Sequence, residues 1–313
     1  MLEIPVYIAT GFLESGKTSF IKEILEDHEF TEGKKVLVIC CEEGAEEYDE
    51  EMLVANNAAL VSVESPEELT TDFLKALQRQ HRQKMTIFEY NRMWKVEDLL
   101  KVLPRNWPVV QTFTMIDAST FEMYLNNMRS IMMELVKLSD VVIFNRCDKD
   151  TKKGSLRRSV KAANRQVQII YESVDGSDED EDEDDLPFDV TADEIDLEDD
   201  DYGLWYLDAM DHPDRYEGKT MRFTAMVYRG DKLPKGYFVP GRFAMTCCAE
   251  DVTFVGFLCK SAFADRLKQR EFIKLTATVK TEFRKEYQGP GPVLTAVKIE
   301  KADKPEEELV YFN

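Results

Sequence analysis

Up to about residue 173 the chain alternates short apolar, β-branched runs with longer stretches in which apolar residues recur every three or four positions. The short runs predict strands over 4–10, 36–40, 60–63, 85–90, 109–117, 141–145 and 167–171. The longer stretches predict helices over 17–27, 66–83, 96–103, 119–138 and 152–163. Strands that alternate with helices predict an α/β unit, a parallel sheet with helices on both faces. From residue 203 the pattern changes. Alternating or β-rich segments over 220–228, 253–259, 272–283 and 293–301, divided by Gly and Pro, predict a smaller, mainly antiparallel β domain with a short helix over 261–270.

Between the two lies a different composition. The chain carries a net charge of −21, yet residues 175–201 hold 17 acidic residues and no Lys or Arg, and without them the net charge would be −4. Such a run buries too little apolar surface to offset its ordering entropy, so 174–202 is expected to be a solvated, disordered acidic linker between domains 1–173 and 203–313. A repelling spacer, a weak cation reservoir and a tail for a basic partner all fit it. Neither flank carries a basic cluster able to outweigh this field, which argues against nucleic acid. No apolar stretch reaches the roughly 18 residues of a membrane span, and Glu3 with Pro5 argues against a signal peptide, so a cytoplasmic protein without membrane insertion is expected. Six cysteines, including the neighbours Cys40-Cys41 and Cys247-Cys248, read as reduced thiols. For the second domain the expected form is a five-stranded, partly open OB-like barrel.

Chemistry is expected where strands end. Gly11-Phe12-Leu13-Glu14-Ser15-Gly16-Lys17-Thr18 follows the first strand directly and has the G-x-x-x-x-G-K-[ST] spacing of a phosphate loop. Its glycines let backbone N–H groups wrap phosphates at a helix N-terminus. In that reading Gly11, Glu14, Ser15, Gly16, Lys17, Thr18 and Ser19 hold the nucleotide. Lys17 reaches the β/γ-phosphates and Thr18 holds Mg²⁺. Glu89, closing the fourth strand, is the candidate catalytic carboxylate near Mg²⁺ or the attacking water. Asn145-Arg146-Cys147-Asp148 follows the sixth strand and has the N-K-x-D spacing that recognises guanine. Asp148 can accept from guanine N1 and N2, a donor pair adenine lacks. Asn145 would brace the loop and Arg146 would lie along the ring, where Arg is not a neutral replacement for Lys.

Gly11 to Thr18, Cys41-Glu42-Glu43-Gly44 with Asp49, Glu89, Asp117, and Asn145 to Asp148 together resemble the CobW-type branch of the SIMIBI (G3E) GTPases over roughly residues 1–173. The resemblance implies a P-loop GTPase that uses GTP/GDP and Mg²⁺. It implies a switch or Mg²⁺ role for Glu42 and Asp49, a task in metal homeostasis or metallochaperone-like delivery of Zn²⁺ or Co²⁺, and a client metalloprotein. Two departures stand out. The C-x-C-C metal motif of that family is absent, since 60–65 read Leu-Val-Ser-Val-Glu-Ser. Tyr90-Asn91-Arg92 replaces the family's [ST]-x-G after Glu89, which removes a backbone N–H near the γ-phosphate and implies slow hydrolysis. Cys40-Cys41 could hold a metal or be ordinary thiols, and their opposite facing lets only one reach the switch cleft.

In the second domain Gly241-Arg242-Phe243-Ala244-Met245-Thr246-Cys247-Cys248-Ala249-Glu250-Asp251 resembles a signature in the soluble, barrel-like part of a two-component permease subunit family, which implies a membrane permease subunit as a partner. Cys247 and Cys248, joined by Cys259 if its strand pairs beside theirs, are candidate soft-metal ligands. His212 is expected in a surface turn, and Tyr237, Phe243, Phe254 and Phe257 are expected in the core. The functional expectation is a GTPase in metal homeostasis. The second expectation is a nucleotide-gated scaffold with weak hydrolysis and no metal transfer, and the third a kinase or ATPase. The metal, the client and whether the chain forms a homodimer stay open.

Overall fold

The computed structural model describes residues 3–42, 44, 46–174, 186–230, 233–246, 249–285, 287 and 289–312. The chain forms two compact units. One takes the described residues up to 152 together with 164–174, and the other takes 153–163 and the described residues from 186 onward.

In the first unit seven strands form one sheet: β1 (Val6–Gly11), β2 (Val36–Cys40), β3 (Ala58–Ser62), β4 (Met85–Glu89), β5 (Val109–Asp117), β6 (Val141–Cys147) and β7 (Gln168–Ser173). Their order is β3-β2-β4-β1-β5-β6-β7 and every pair is parallel. Continuous burial along β1, β2 and β4 explains why they read as unbroken apolar runs, since both faces of a parallel sheet are covered. The order places β1 between β4 and β5, so the loop after Gly11 opens beside the carboxyl ends of both.

Six helices of this unit are α1 (Lys17–Glu26), α2 (His28–Thr31), α3 (Glu50–Ala55), α4 (Thr71–His81), α5 (Val96–Val102) and α6 (Phe121–Lys137). α1 buries Ile21, Ile24 and Leu25. The helix expected over 66–83 is divided. A capping box between Ser65 and Glu68 opens one 3₁₀ turn, and Thr70 then caps a new start by accepting from the Phe73 N–H. α6 is kinked at Met128, whose φ of −137° is not helical.

α7 (Lys153–Ala163) follows β6 in the chain but groups with the second unit. There Arg157 reaches Asp211 at 3.5 Å and His212 Nε2 at 3.0 Å, so His212 is engaged rather than free in a surface turn. The rest of the unit comprises β8 (Glu194–Asp196), α8 (Tyr202–Asp211), β9 (Thr220–Tyr228), β10 (Tyr237–Ala244), β11 (Thr253–Gly256), β12 (Leu258–Lys260), β13 (Phe272–Arg284), β14 (Gly289–Lys301) and β15 (Leu309–Val310). β10 pairs with both β9 and β12, and the ring closes as β9-β10-β12-β14-β13-β9, a five-stranded barrel whose single parallel contact joins β12 to β14. The OB-like form expected from the sequence is therefore present, with β8, β11 and β15 added at its margins.

Several elements differ from expectation. β8 pairs in parallel with β9, so part of the acidic stretch is a strand; residues 175–185 lie outside the described residues. β10 contains Pro240 and Gly241, which speak against a strand in a sequence. A Cβ at Gly241 would lie 2.4 Å from the Val255 carbonyl, so glycine is what lets β11 approach. α8 is buried almost all round, leaving no one-sided stripe to detect. Its Trp205 meets Phe257 edge-on at 5.2 Å in the barrel core. The helix expected over 261–270 is a single 3₁₀ turn at Ala264–Arg266.

Candidate nucleotide site

α1 begins at Lys17, and its N-cap Gly16 (φ 93°) offers no side chain to the first-turn N–H groups. Those donors and the helix dipole are left to an anion. Gly11 (φ 143°) and Glu14 (φ 60°) complete the left-handed turns of the loop. The Lys17 ammonium donates to the Phe12 carbonyl at 2.8 Å and the Gly11 carbonyl at 3.1 Å, and lies 2.7 Å from a Glu42 oxygen. Thr18 donates its hydroxyl to Glu89 Oε1 at 2.7 Å. The other Glu89 oxygen accepts the Tyr48 hydroxyl at 2.6 Å, with Cys40 Sγ 3.6 Å away. Ser19 donates to Glu46 at 2.5 Å, and Lys22 pairs with the same carboxylate at 2.7 Å. Lys17, Thr18, Ser19, Glu42, Glu46 and Glu89 line a cleft of about 220 Å³. Ser15 Oγ is buried in the loop without a partner among the described residues.

The guanine-type motif reaches the same loop. β6 breaks register between Phe144 and Cys147, with Arg146 at φ 54°. Asn145 Nδ2 donates to the Ser15 carbonyl at 2.7 Å, and a Cβ at Gly16 would sit 2.4 Å from that nitrogen. Only glycine fits beneath the tie. Arg146 donates to the Glu14 carbonyl at 3.2 Å and pairs with Asp117. Burial works against the Asp117 charge, but bonds from Ser119 and Arg146 outweigh it and hold that carboxyl below its usual range. Asp148 is exposed and uses Oδ1 to accept from Asp150 N–H and the Thr151 hydroxyl. Its second oxygen takes no bond among the described residues.

The two neighbouring thiols face differently. Cys41 is buried in the core, whereas Cys40 is half-buried and faces Glu89. Burial and then the nearby Glu89 charge push Cys40 up to about 11. The Cys40 thiol donates to the Glu42 carbonyl at 3.0 Å. A Thr18 hydroxyl and a Glu89 carboxylate that already meet are oxygen donors only, which suits Mg²⁺. Asp49, given a switch role by resemblance, spends its carboxylate capping α3 through the Met52 N–H.

In the second unit Cys259 is fully buried in the barrel core, and burial pushes its thiol up to about 12. Cys247 and Cys248 lie outside the described residues. Among the described residues no three His, Cys, Asp or Glu side chains are grouped to hold a metal. No helix of the described residues is long and apolar enough to cross a membrane.

Glu46 lines this cleft and Tyr48 meets Glu89; both fall within the switch segment 42–49 expected from the sequence, although the sequence singles out neither. Each comes from the irregular stretch between β2 and α3, and only folding that stretch over the β4 end brings them to Ser19 and Glu89.

Residues 174–312 match the DUF1980 C-terminal domain. The UPF0703 protein YcgQ of Bacillus subtilis (strain 168) is 25% identical over 118 residues, which are 38% of this chain and 41% of that protein. The chain thus spans under half the length of that curated relative. Among solved structures, the Zn(II)-bound YjiA GTPase from E. coli is 20% identical, with 57% of this chain and 60% of that chain covered and a TM-score of 0.43. The hydrogenase maturation factor HypB from Archaeoglobus fulgidus is 15% identical, with 55% and 82% covered and a TM-score of 0.41. Residues 5–171, more than half of the chain, match the nucleotide-binding domain of CobW/HypB/UreG, and the chain belongs to that family.

Proposed function

We propose that the first unit binds guanine nucleotide with Mg²⁺ and hydrolyses GTP slowly. The observation that supports this reading most is the hydrogen bond from Asn145 to the Ser15 carbonyl, which ties the segment with guanine-motif spacing to a phosphate loop whose Lys17 and Thr18 face acidic partners. Lys17 and the α1 N-terminus would hold the phosphates. Thr18 and Glu89 would hold Mg²⁺, which supplies charge neutralisation at the phosphates when bound. Asp148 would accept from guanine through its unused oxygen.

The test compares GDP with ADP by calorimetry and follows phosphate release over many turnovers. GDP should bind at least about tenfold more tightly than ADP, Asp148→Asn should erase that preference, and Lys17→Ala should abolish release. Equal binding of the two nucleotides would remove the guanine assignment.

A second reading, a nucleotide-gated regulator with weak hydrolysis, is favoured by one feature. Glu42 beside Lys17 and Glu46 on Ser19 place carboxylates against the phosphate loop, so a bound nucleotide would displace both and move the stretch that carries them. Absent phosphate release beside intact GDP binding selects it. Metal delivery rests on the sequence signature of Cys247, Cys248 and Cys259. Titration of reduced protein with Co²⁺ should give thiolate absorption that vanishes in Cys247→Ser/Cys248→Ser; no absorption in wild type removes that role.

A further inference from the structure

We propose that Arg92 is an arginine supplied in cis to the γ-phosphate during hydrolysis, a role that rests on the GTPase reading above. Glu89 closes β4, the Tyr90 N–H binds the Ala9 carbonyl at 2.8 Å, and 91–94 then turn tightly, with Trp94 N–H on the Asn91 carbonyl at 3.0 Å and Met93 N–H on Asn91 Oδ1 at 2.9 Å. This turn delivers the Arg92 side chain to the phosphate loop. Its guanidinium carbon lies 4.2 Å from the centre of the Phe12 ring. The Tyr124 ring stacks on Phe12 at 4.0 Å and 25°. Two groups that near one ring cannot share a face, so Phe12 is sandwiched. Phe12 is also the residue whose carbonyl holds Lys17.

The manner of Arg92's attachment carries the inference. Nη1 is buried and has no partner among the described residues. An arginine that serves only as a structural clamp normally spends its donors on carboxylates or carbonyls, because an unsatisfied charged N–H is costly. Arg92 rests against a ring face instead, an attraction that phosphate oxygens can replace. It stands three residues beyond Glu89, the carboxylate that accepts from Thr18 and closes β4. Arg92 occupies the chain position where the family resemblance implies a glycine, so a cationic side chain replaces a bare backbone N–H there.

In the step proposed, water attacks the γ-phosphorus as the bond from that phosphorus to the β–γ bridging oxygen breaks. The bonding pair stays on GDP, and the water proton leaves with inorganic phosphate or to solvent. Arg92 donates hydrogen bonds to the oxygens on which charge builds and exchanges no proton or electron. GTP and water thereby become GDP and phosphate.

The experiment uses the full chain with Mg²⁺, in wild type, Arg92→Ala and Arg92→Lys. It measures GDP affinity, phosphate release, and formation of the GDP–aluminium fluoride complex by intrinsic fluorescence, Trp94 lying two residues away. Arg92→Ala should keep GDP affinity within about threefold, lose roughly 10³-fold in turnover and fail to trap aluminium fluoride. Added guanidinium ion at millimolar concentration should restore part of the rate, and Arg92→Lys should restore little because the planar fork is lost. Turnover within threefold of wild type overturns the proposal, as does a GDP affinity that falls in parallel with turnover, the mark of a loop clamp. Wild type that binds GDP but neither releases phosphate nor traps aluminium fluoride removes the Arg92 role and leaves nucleotide binding intact. Wild type that binds no GDP removes both.

Discussion

Lys17 and Glu42 form an ion pair at 2.7 Å with side chains only 3% and 12% exposed. The ammonium also donates to the carbonyls of Gly11 and Phe12, so three oxygens surround it. Under the proposed nucleotide reading, a phosphate at Lys17 would compete with this carboxylate.

Glu42→Gln should tighten Mg²⁺-free GDP binding by about tenfold, equivalent to ~1.4 kcal/mol, because the amide keeps the shape and loses the charge. Calorimetry in chelator decides it. Unchanged or weaker binding would mean Glu42 does not hold Lys17 in solution.

Tyr48→Phe removes one hydroxyl and leaves a Glu89 oxygen without its 2.6 Å donor in a residue 4% exposed. The loss should be about 1–3 kcal/mol in urea unfolding. The Mg²⁺ concentration needed for half-maximal GDP binding should move as well, since the same carboxylate meets Thr18. A variant indistinguishable from wild type in both would show that Tyr48 does not orient Glu89.

At Gly16 an added methyl meets two obstacles, a backbone at φ 93° and the Asn145 amide 2.4 Å away. Gly16→Ala should cost about 1–3 kcal/mol and abolish GDP binding. In a double-mutant cycle with Asn145→Ala the two changes should be coupled by at least ~0.5 kcal/mol, because truncation removes one obstacle. Strict additivity would place Asn145 elsewhere.

Alkaline pH should destabilise the fold. Burial raises Cys40 from 9.0 to about 11 and Cys259 to about 12. It raises Cys41, Tyr48, Tyr90 and Tyr202 as well. The unfolded chain releases thiol protons near pH 9 while the folded chain keeps them, so this stability is fully present below pH 9 and falls as pH climbs through about 9–12. Urea midpoints measured between pH 8 and 10.5 should decline, less steeply in Cys40→Ala. A flat profile contradicts it.

What the amino-acid order determined by itself was local. Gly11, Gly16 and Lys17 announce a phosphate loop because positive φ and close approach admit few residues, and the unbroken apolar runs of β1, β2 and β4 announce a sheet covered on both faces. Residue spacing also marked Asn145, Arg146 and Asp148 as one loop. β10 and α8 escaped notice for a physical reason. Pro240 and Gly241 weaken the strand signal, and a helix buried all round carries no one-sided stripe.

Only the tertiary structure decided which distant groups meet. Parallel order β2-β4-β1 lays the ends of three strands side by side, and that adjacency brings Cys40, Tyr48 and Glu89 to Thr18 and sets Arg92 against Phe12. Separations of up to 80 residues close there through strand pairing, a relation that no local periodicity encodes, since it depends on the whole sheet packing at once.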